Sequence, residues 1–229
     1  MNPVDLTAQA TQAAQQAQHG GGLGAVGMVV LLTVVTLLPA IILSCTCFVR
    51  FIVVLGFVRT GMGTPSAPPN QVLVGLALFM SIFVSTPVAM KMYENGGKQY
   101  IAGEMTEAQA WDAASPTLRQ FLLQRTTDSD LQLFYDVSNA PRPTTVDDVP
   151  MRICIPAFIV SELRMAFEIG LTILLPFLVI DLIAAAVLTS LGMVMVPPAT
   201  VALPLKLLVF VMIDGWHLVV ASLLKGAGA

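Results

Sequence analysis

Residues 192–204 read GMVMVPPATVALP. They sit inside an apolar tract, 182–205, that holds no charged side chain. Met193 and Met195 come just before a double proline, Pro197 and Pro198. Proline has no backbone N–H, its ring crowds the turn before it, and the residue ahead of it is pushed out of the helical region. A helix cannot run through this stretch, so the chain must break here between two apolar segments. Gly192 and the two prolines supply the turn. Broken backbone at membrane depth is tolerated only where protein buries it or where it lines a cavity. Methionine is flexible and polarizable and suits surfaces that re-pack. Two readings stand at this point. One is a pore constriction; the other is a helical turn at a membrane edge with methionines as filler.

Composition sets the surroundings of that break. Of 229 residues, 56% are hydrophobic and only 11% charged, with a mean hydropathy of +0.81. A soluble domain carries roughly 25% charge, so this chain belongs in a membrane or buried in an assembly. Tracts 23–49 and 71–90 lack charge altogether, and each has about the 20 residues needed to cross a hydrocarbon core. Two further apolar stretches, 165–180 and 182–213, are interrupted only by Glu168, Asp181 and Lys206.

The pattern predicts an all-α, membrane-associated protein of long kinked apolar hairpins with a small polar helical insertion. Residues 1–22 are a polar, Ala/Gln/Gly-rich leader, expected to be disordered. The first hairpin covers 23–90, with one helix over 23–58 kinked at Pro39, a turn at 61–70 and a second helix over 71–90. Residues 91–150 form the polar insertion, with a net charge of −4 from five basic and nine acidic side chains. Ser115 and Pro116 are expected to start a new helix within it. The second hairpin covers 151–229 and contains the Met/Pro loop. Its last helix is expected to run unbroken over 202–224. Arg50 and Arg59 place the first loop in the cytoplasm by the excess of basic residues on that side. The acidic insertion then lies extracytoplasmically.

Six ionisable residues lie in or beside apolar helices: Glu162, Arg164, Glu168, Asp181, Lys206 and Asp214. Such groups are costly and are paired or functional. Arg164 and Glu168, four apart, share a helix face and can pair locally. Asp181 and Lys206 flank the break, so a hairpin could join them. Lys206 and Asp214 are expected to pair with other helices or subunits. A proton relay is one reading of these charges, and structural ion pairs between helices or protomers the other.

The remaining chemistry is sparse. Cys45 and Cys47 lack the two-residue spacing of a metal or redox pair, and with Cys154 they read as small hydrophobes. His19 and His217 have no partner ligands, so no metal is expected. No phosphate-binding glycine loop and no nucleophile-elbow motif is present. No enzyme chemistry, no cofactor and no nucleic-acid partner is indicated.

Four long strings then coincide in order and spacing. They are LTVVTLLPAIIL at 32–43, FVRFIVVLGFVRTGMGTPSAPPNQVLVGLALFMSIFVSTPV at 48–88, VPMRICIPAFIVSELRMAFEIG at 149–170, and PFLVIDLIAAAVLTSLGMVMVPPATVALPLKLLVFVMIDGW at 176–216. Together they resemble the FliP/SctR family of type III export-gate proteins, and TPSAPPNQ with the double proline resembles its flagellar branch. The resemblance implies a pentamer that joins FliQ- and FliR-like proteins and other export-apparatus membrane proteins. It implies a helical, cone-like channel for unfolded flagellar subunits. The site would be the inner membrane and flagellar basal body, with much of the chain held at the periplasmic side. It also implies that Met193, Val194 and Met195 form the gasket closing the pore. The family pattern there is three methionines, so Val194 is a departure. The injectisome branch of the same family and a stand-alone secondary transporter are the alternatives.

Overall fold

The computed structural model describes residues 25–138, 140–143 and 145–228. The leader expected over 1–22 lies outside them. Every regular element among the described residues is helical. The chain divides into two compact units, 1–42 and 43–229.

In the first unit, the described residues belong to α1, Ala25–Ser44. It is apolar all round, and its 20 residues match a bilayer core. The helix continues through Pro39 and the chain breaks instead at residues 45–47. The expected single helix over 23–58 is therefore two. The cause is local polar chemistry in Ser-Cys-Thr-Cys. Thr46 Oγ1 donates to the Leu43 carbonyl at 2.9 Å and accepts from the Phe48 N–H at 3.4 Å. Such side-chain bonds offer the backbone an alternative to helix.

The second unit is built around α2, Phe48–Met62, and α7, Met151–Ser190. In α2, Phe51, Val54, Leu55, Val58 and Met62 recur at helical spacing and are all buried. They share one core with Cys154, Phe158 and Ala166 of α7, and the contact of these two helices is the most extensive between elements. The approach is close. A Cβ on Gly170 of α7 would lie 2.2 Å from Phe57 Cδ2, so the ring sits on bare backbone. α2 has only 15 residues, too few to cross a bilayer. α7 has 40, or about 60 Å at 1.5 Å per residue, about twice what a bilayer core needs.

Residues 63–69 turn the chain into α3, Asn70–Met92. Arg59 Nη1 donates to Asn70 Oδ1 across this turn. α3 passes through a single π-helical turn, Tyr93–Gly97, into the short α4, Lys98–Ile101. The polar insertion continues as α5, Glu107–Leu123, and α6, Asp128–Ser138, which pack on the N-terminal part of α7. α5 starts in a capping box. Thr106 Oγ1 accepts from the Gln109 N–H, and Gln109 Oε1 accepts from the Thr106 N–H. It then runs through Pro116 without restarting, contrary to the expected cap at Ser115. Ala110, Ala114, Phe121 and Leu122 hold its buried face in place. After a 3₁₀ turn, Val146–Asp148, the chain enters α7.

Two helices close the chain, α8, Pro198–Met212, and α9, Gly215–Gly226. The expected single helix over 202–224 is broken at Ile213 and Asp214, with a bend of 63°. Asp214 adopts the left-handed conformation, φ 51° and ψ 53°, which short polar side chains tolerate better than most. Among the described residues, α1, the α3–α4 segment and α7 are long and apolar enough to cross a membrane. The bent pair α8–α9 would be a fourth span.

Candidate functional site at the tip of an apolar hairpin

The C-terminal part of α7 and all of α8 form a hairpin around the Met/Pro loop. α7 stops in a Schellman motif. The Gly192 N–H donates to the Thr189 carbonyl at 3.0 Å, and the Met193 N–H donates to the Leu188 carbonyl at 2.9 Å. The motif needs a left-handed residue, and Gly192 supplies it at φ 75°. Pro198 then occupies the first turn of α8, where its missing N–H costs nothing. Thr200 Oγ1 donates back to the Pro197 carbonyl at 2.7 Å. Local backbone chemistry thus fixes both edges of the loop.

What the loop presents is apolar and uncovered. Within the chain Met193 is 44% exposed, Val194 82% and Met195 95%. The flanking Leu182, Ile183, Val187, Leu191, Val201 and Leu205 are also exposed. A monomeric soluble protein rarely carries an apolar surface of this extent, which marks contact with lipid or other protein. The tip stands about 16 Å beyond Asp181, counted as 11 residues of helix rise. No side chain at the tip can ionise, so its contacts are dispersive.

Asp181 and Lys206 meet across the hairpin, Lys206 Nζ donating to Asp181 Oδ2 at 2.6 Å. Lys206 is buried and Asp181 half-exposed. The expected cross-hairpin contact is present, and Lys206 pairs with a helix other than its own.

Glu162 is fully buried and receives a bidentate contact from Arg50 of α2, Nε at 2.9 Å from Oε2 and Nη2 on Oε1. Arg50 Nη1 donates to the Gly226 carbonyl at 2.8 Å. Arg125 donates to the Ala227 carbonyl at 2.5 Å through Nη2, and its guanidinium lies 4.0 Å from the Phe121 ring centroid. Two arginines therefore hold the carbonyl end of α9, where helices leave acceptors unsatisfied. Arg50 is thus a core residue within a helix, and of the two arginines used to orient the chain only Arg59 stands at the first loop. An arginine between apolar residues on both sides, as in FVRFIVV, was the signal for this role. Nothing in the sequence pointed to Arg125.

Arg164 does not pair with Glu168. Its Nη2 contacts Asp130 of α6. The insertion supplies a buried carboxylate where Glu168 offers an exposed one. Among the described residues no ion pair forms at Glu168 or Asp214, and both are exposed. Thr127 Oγ1 and Ser161 Oγ each donate to Asp130 Oδ2 at 2.7 Å. Burial pushes the Asp130 carboxyl up, but these hydrogen bonds and the Arg164 charge outweigh it and hold it below its ordinary 3.8. A depressed carboxylate contributes stability that is full above 3.8 and is lost as pH falls through the lower folded value. Melting temperature in detergent is therefore expected to hold from neutral pH down to about pH 5 and to drop below about pH 4. Asp130→Asn should start lower and lack that acid step. Parallel pH profiles for both proteins would refute the assignment.

Glu162, Arg164 and the Asp181–Lys206 pair thus occupy three separate ion-pair sites rather than one cavity. An uncovered apolar hairpin on a helical, span-rich chain defines the class, a membrane-associated helical protein. Comparison with known proteins gives the family. The FliP family profile matches residues 31–223. The chain is 46% identical over 188 residues to the flagellar biosynthetic protein FliP of Pectobacterium carotovorum subsp. carotovorum, covering 82% of this chain and 73% of the relative. It is 46% identical over 197 residues to that of Caulobacter vibrioides, covering 84% and 74%. It is 41% identical over 187 residues to that of Bacillus subtilis, covering 82% and 85%. The chain belongs to the FliP family.

Proposed function

We propose that this chain is a pore-forming subunit of the flagellar type III export gate, and that its Met193–Val194–Met195 tip closes the pore. The observation that carries the reading is the hairpin tip itself. It is a turn fixed by Gly192, Pro197 and Pro198, entirely apolar, with Met195 almost wholly uncovered in the single chain. A seal has to stop water and ions at rest and still pass an extended polypeptide. A ring of apolar side chains can dewet a narrow constriction. Thioethers can then re-pack around any sequence without specific hydrogen bonds.

The exposed apolar faces of α3, α7 and α8 would be covered by further copies, in a pentamer, and by FliQ- and FliR-like partners of the export apparatus. Glu162, Arg164, Asp181 and Lys206 would keep the helices of each protomer in register. Glu168 and Asp214 remain for contacts between protomers. The gate would sit in the inner membrane and flagellar basal body, with Arg59 favouring a cytoplasmic first loop and the acidic insertion a periplasmic position. Unfolded flagellar subunits would be the cargo. A transporter is disfavoured because its coupling acids would converge on one cavity, whereas Glu162 and Asp181 are each committed to a separate ion pair. The injectisome gate is the nearer alternative, and the flagellar names of the relatives weigh against it.

The test is native mass after detergent extraction with the FliQ- and FliR-like neighbours co-expressed. A large hetero-oligomer with several copies of this chain is expected. A monomer or dimer that ignores those neighbours would overturn the gate reading.

A further inference from the structure

The hairpin that carries the methionine tip joins the rest of its unit at two places, one a proline within a continuous helix and the other a break between two helices. On the α7 side stands Pro176, which has no N–H to return to the Thr172 carbonyl. On the α8 side the helix ends at Met212, and the backbone turns through Ile213 and the left-handed Asp214. Pro176 and Ile213 line one apolar cavity of about 200 Å³, so the proline and the turn lie at the same level of the hairpin.

The packing at that level is unusual. Two aromatic rings at the base of the hairpin rest on glycines. A Cβ on Gly61 of α2 would lie 2.5 Å from Phe177 Cδ2, and one on Gly215 of α9 would lie 2.3 Å from Phe210 Cε2. The rings are neighbours, with centroids 6.2 Å apart. Both rings are buried, and Phe210 also meets the Trp216 ring edge-on at 5.4 Å, so the base of the hairpin is seated on aromatic contacts with backbone and ring faces. Just tipward of Pro176 and the Ile213–Asp214 turn, the Lys206–Asp181 contact ties the two helices together. Pro176 and the elbow are therefore at the base, and the tie is above them, with Pro204 of α8 on the tip side of the tie.

We infer that α7 beyond Pro176 and α8 move as one rigid hairpin, about a hinge through Pro176 and the Ile213–Asp214 turn. The Lys206–Asp181 tie stays closed during the motion. Hinges are a few residues at element ends that absorb the backbone change. Gly192 lies 16 residues past Pro176, or about 24 Å along the helix. A rotation of about 10° then carries the tip through about 4 Å, roughly the width of a side chain. The purpose assigned to the motion, opening a methionine seal, rests on the pore reading; the motion itself does not.

Cross-linking separates the two. Cys45, Cys47 and Cys154 are first replaced by alanine in a background checked for motility. One pair, Asp181→Cys with Lys206→Cys, bridges the hairpin above the hinge. A second, Ile173→Cys with Leu218→Cys, bridges the hinge cavity. Each is treated in cells with a short, reductant-cleavable bifunctional thiol reagent, and flagellar subunits secreted to the medium are measured. The hinge cross-link is expected to lower export by roughly tenfold or more and to be reversed by reductant, as locking a gating element should. Measured against the same cysteine pair in its reductant-released form, the hairpin cross-link should leave export unchanged. Free export with the hinge locked, or loss of export with only the hairpin locked, would overturn the proposal. Pro176→Ala provides a second arm that does not endanger the fold, because it restores a helix hydrogen bond. It should assemble normally and export several-fold less, and normal export would count against the hinge. Resting ion conductance of Met-tip variants tests the pore reading separately. No leak there, with export still blocked by the hinge cross-link, would sink the seal and keep the hinge.

Discussion

Glu162→Ala is expected to destabilise the protein by about 3–5 kcal/mol, the usual cost of leaving one member of a buried ion pair without its partner. Arg50 is 1% exposed and has no route to water. Its guanidinium is satisfied by both oxygens of Glu162 and by the Gly226 carbonyl. Without the carboxylate, a full charge stays buried with one neutral acceptor. The pair also joins three elements, α2, α7 and the end of α9, so its loss should loosen the C-terminal helix as well. Glu162→Gln should fall between, since it keeps an acceptor but no charge. Replacing both residues, Arg50→Met with Glu162→Met, should be less damaging than Glu162→Ala alone, because the double change removes the charge along with its partner. Melting temperature in detergent and steady-state level in cells are the readouts. A silent Glu162→Ala, or a double variant worse than the single, would show that the pair does not hold the core.

Met193→Ala with Met195→Ala is expected to open an ion leak while the gate still assembles. The two side chains are 44% and 95% exposed in the single chain, so truncating them removes little packing within the protomer and should not disturb its fold. What is lost is apolar volume at the tip. A constriction that excludes water by being narrow and apolar conducts once it is wide enough to wet. The readouts are resting membrane conductance, growth, and the native mass of the assembly. Unchanged conductance and growth in a correctly assembled gate would refute the seal. Loss of secretion without any leak would point to a purely structural ring. Val194→Met separates the two side-chain types. Valine is stiff at its first torsion, so methionine there should keep the seal and ease passage of bulky segments, read as an unchanged resting conductance with equal or faster secretion.

Most of the local breaks were legible in the sequence, and the reason is the same each time. Gly192, Pro197 and Pro198 act on backbone within a turn of themselves, so their effect can be read from neighbouring residues. The loop at 63–69 and the start of α3 follow from the same chemistry. The misreadings came where a local rule met a competing one. Pro116 lies inside a continuous helix where a new helix start was expected, and the short polar run at 44–47 broke the chain where no proline stood. The elbow at Asp214 does carry a signal, the Asp214-Gly215 dipeptide that marks turns, and the long apolar run around it masked that signal.

The sequence by itself determined that this is a helical, membrane-associated protein with an apolar hairpin tip, because charge depletion and proline placement act locally and add along the chain. Only the tertiary structure decided which charges meet. Arg50 and Glu162 are 112 residues apart, and Asp130 and Arg164 are 34 apart. In a soluble helix the buried face shows as a periodic stripe, from which partners can be guessed. These helices are apolar nearly all round, so their sequences carry no stripe, and packing against α2, α6 and α8 selects which side of α7 holds its paired charges.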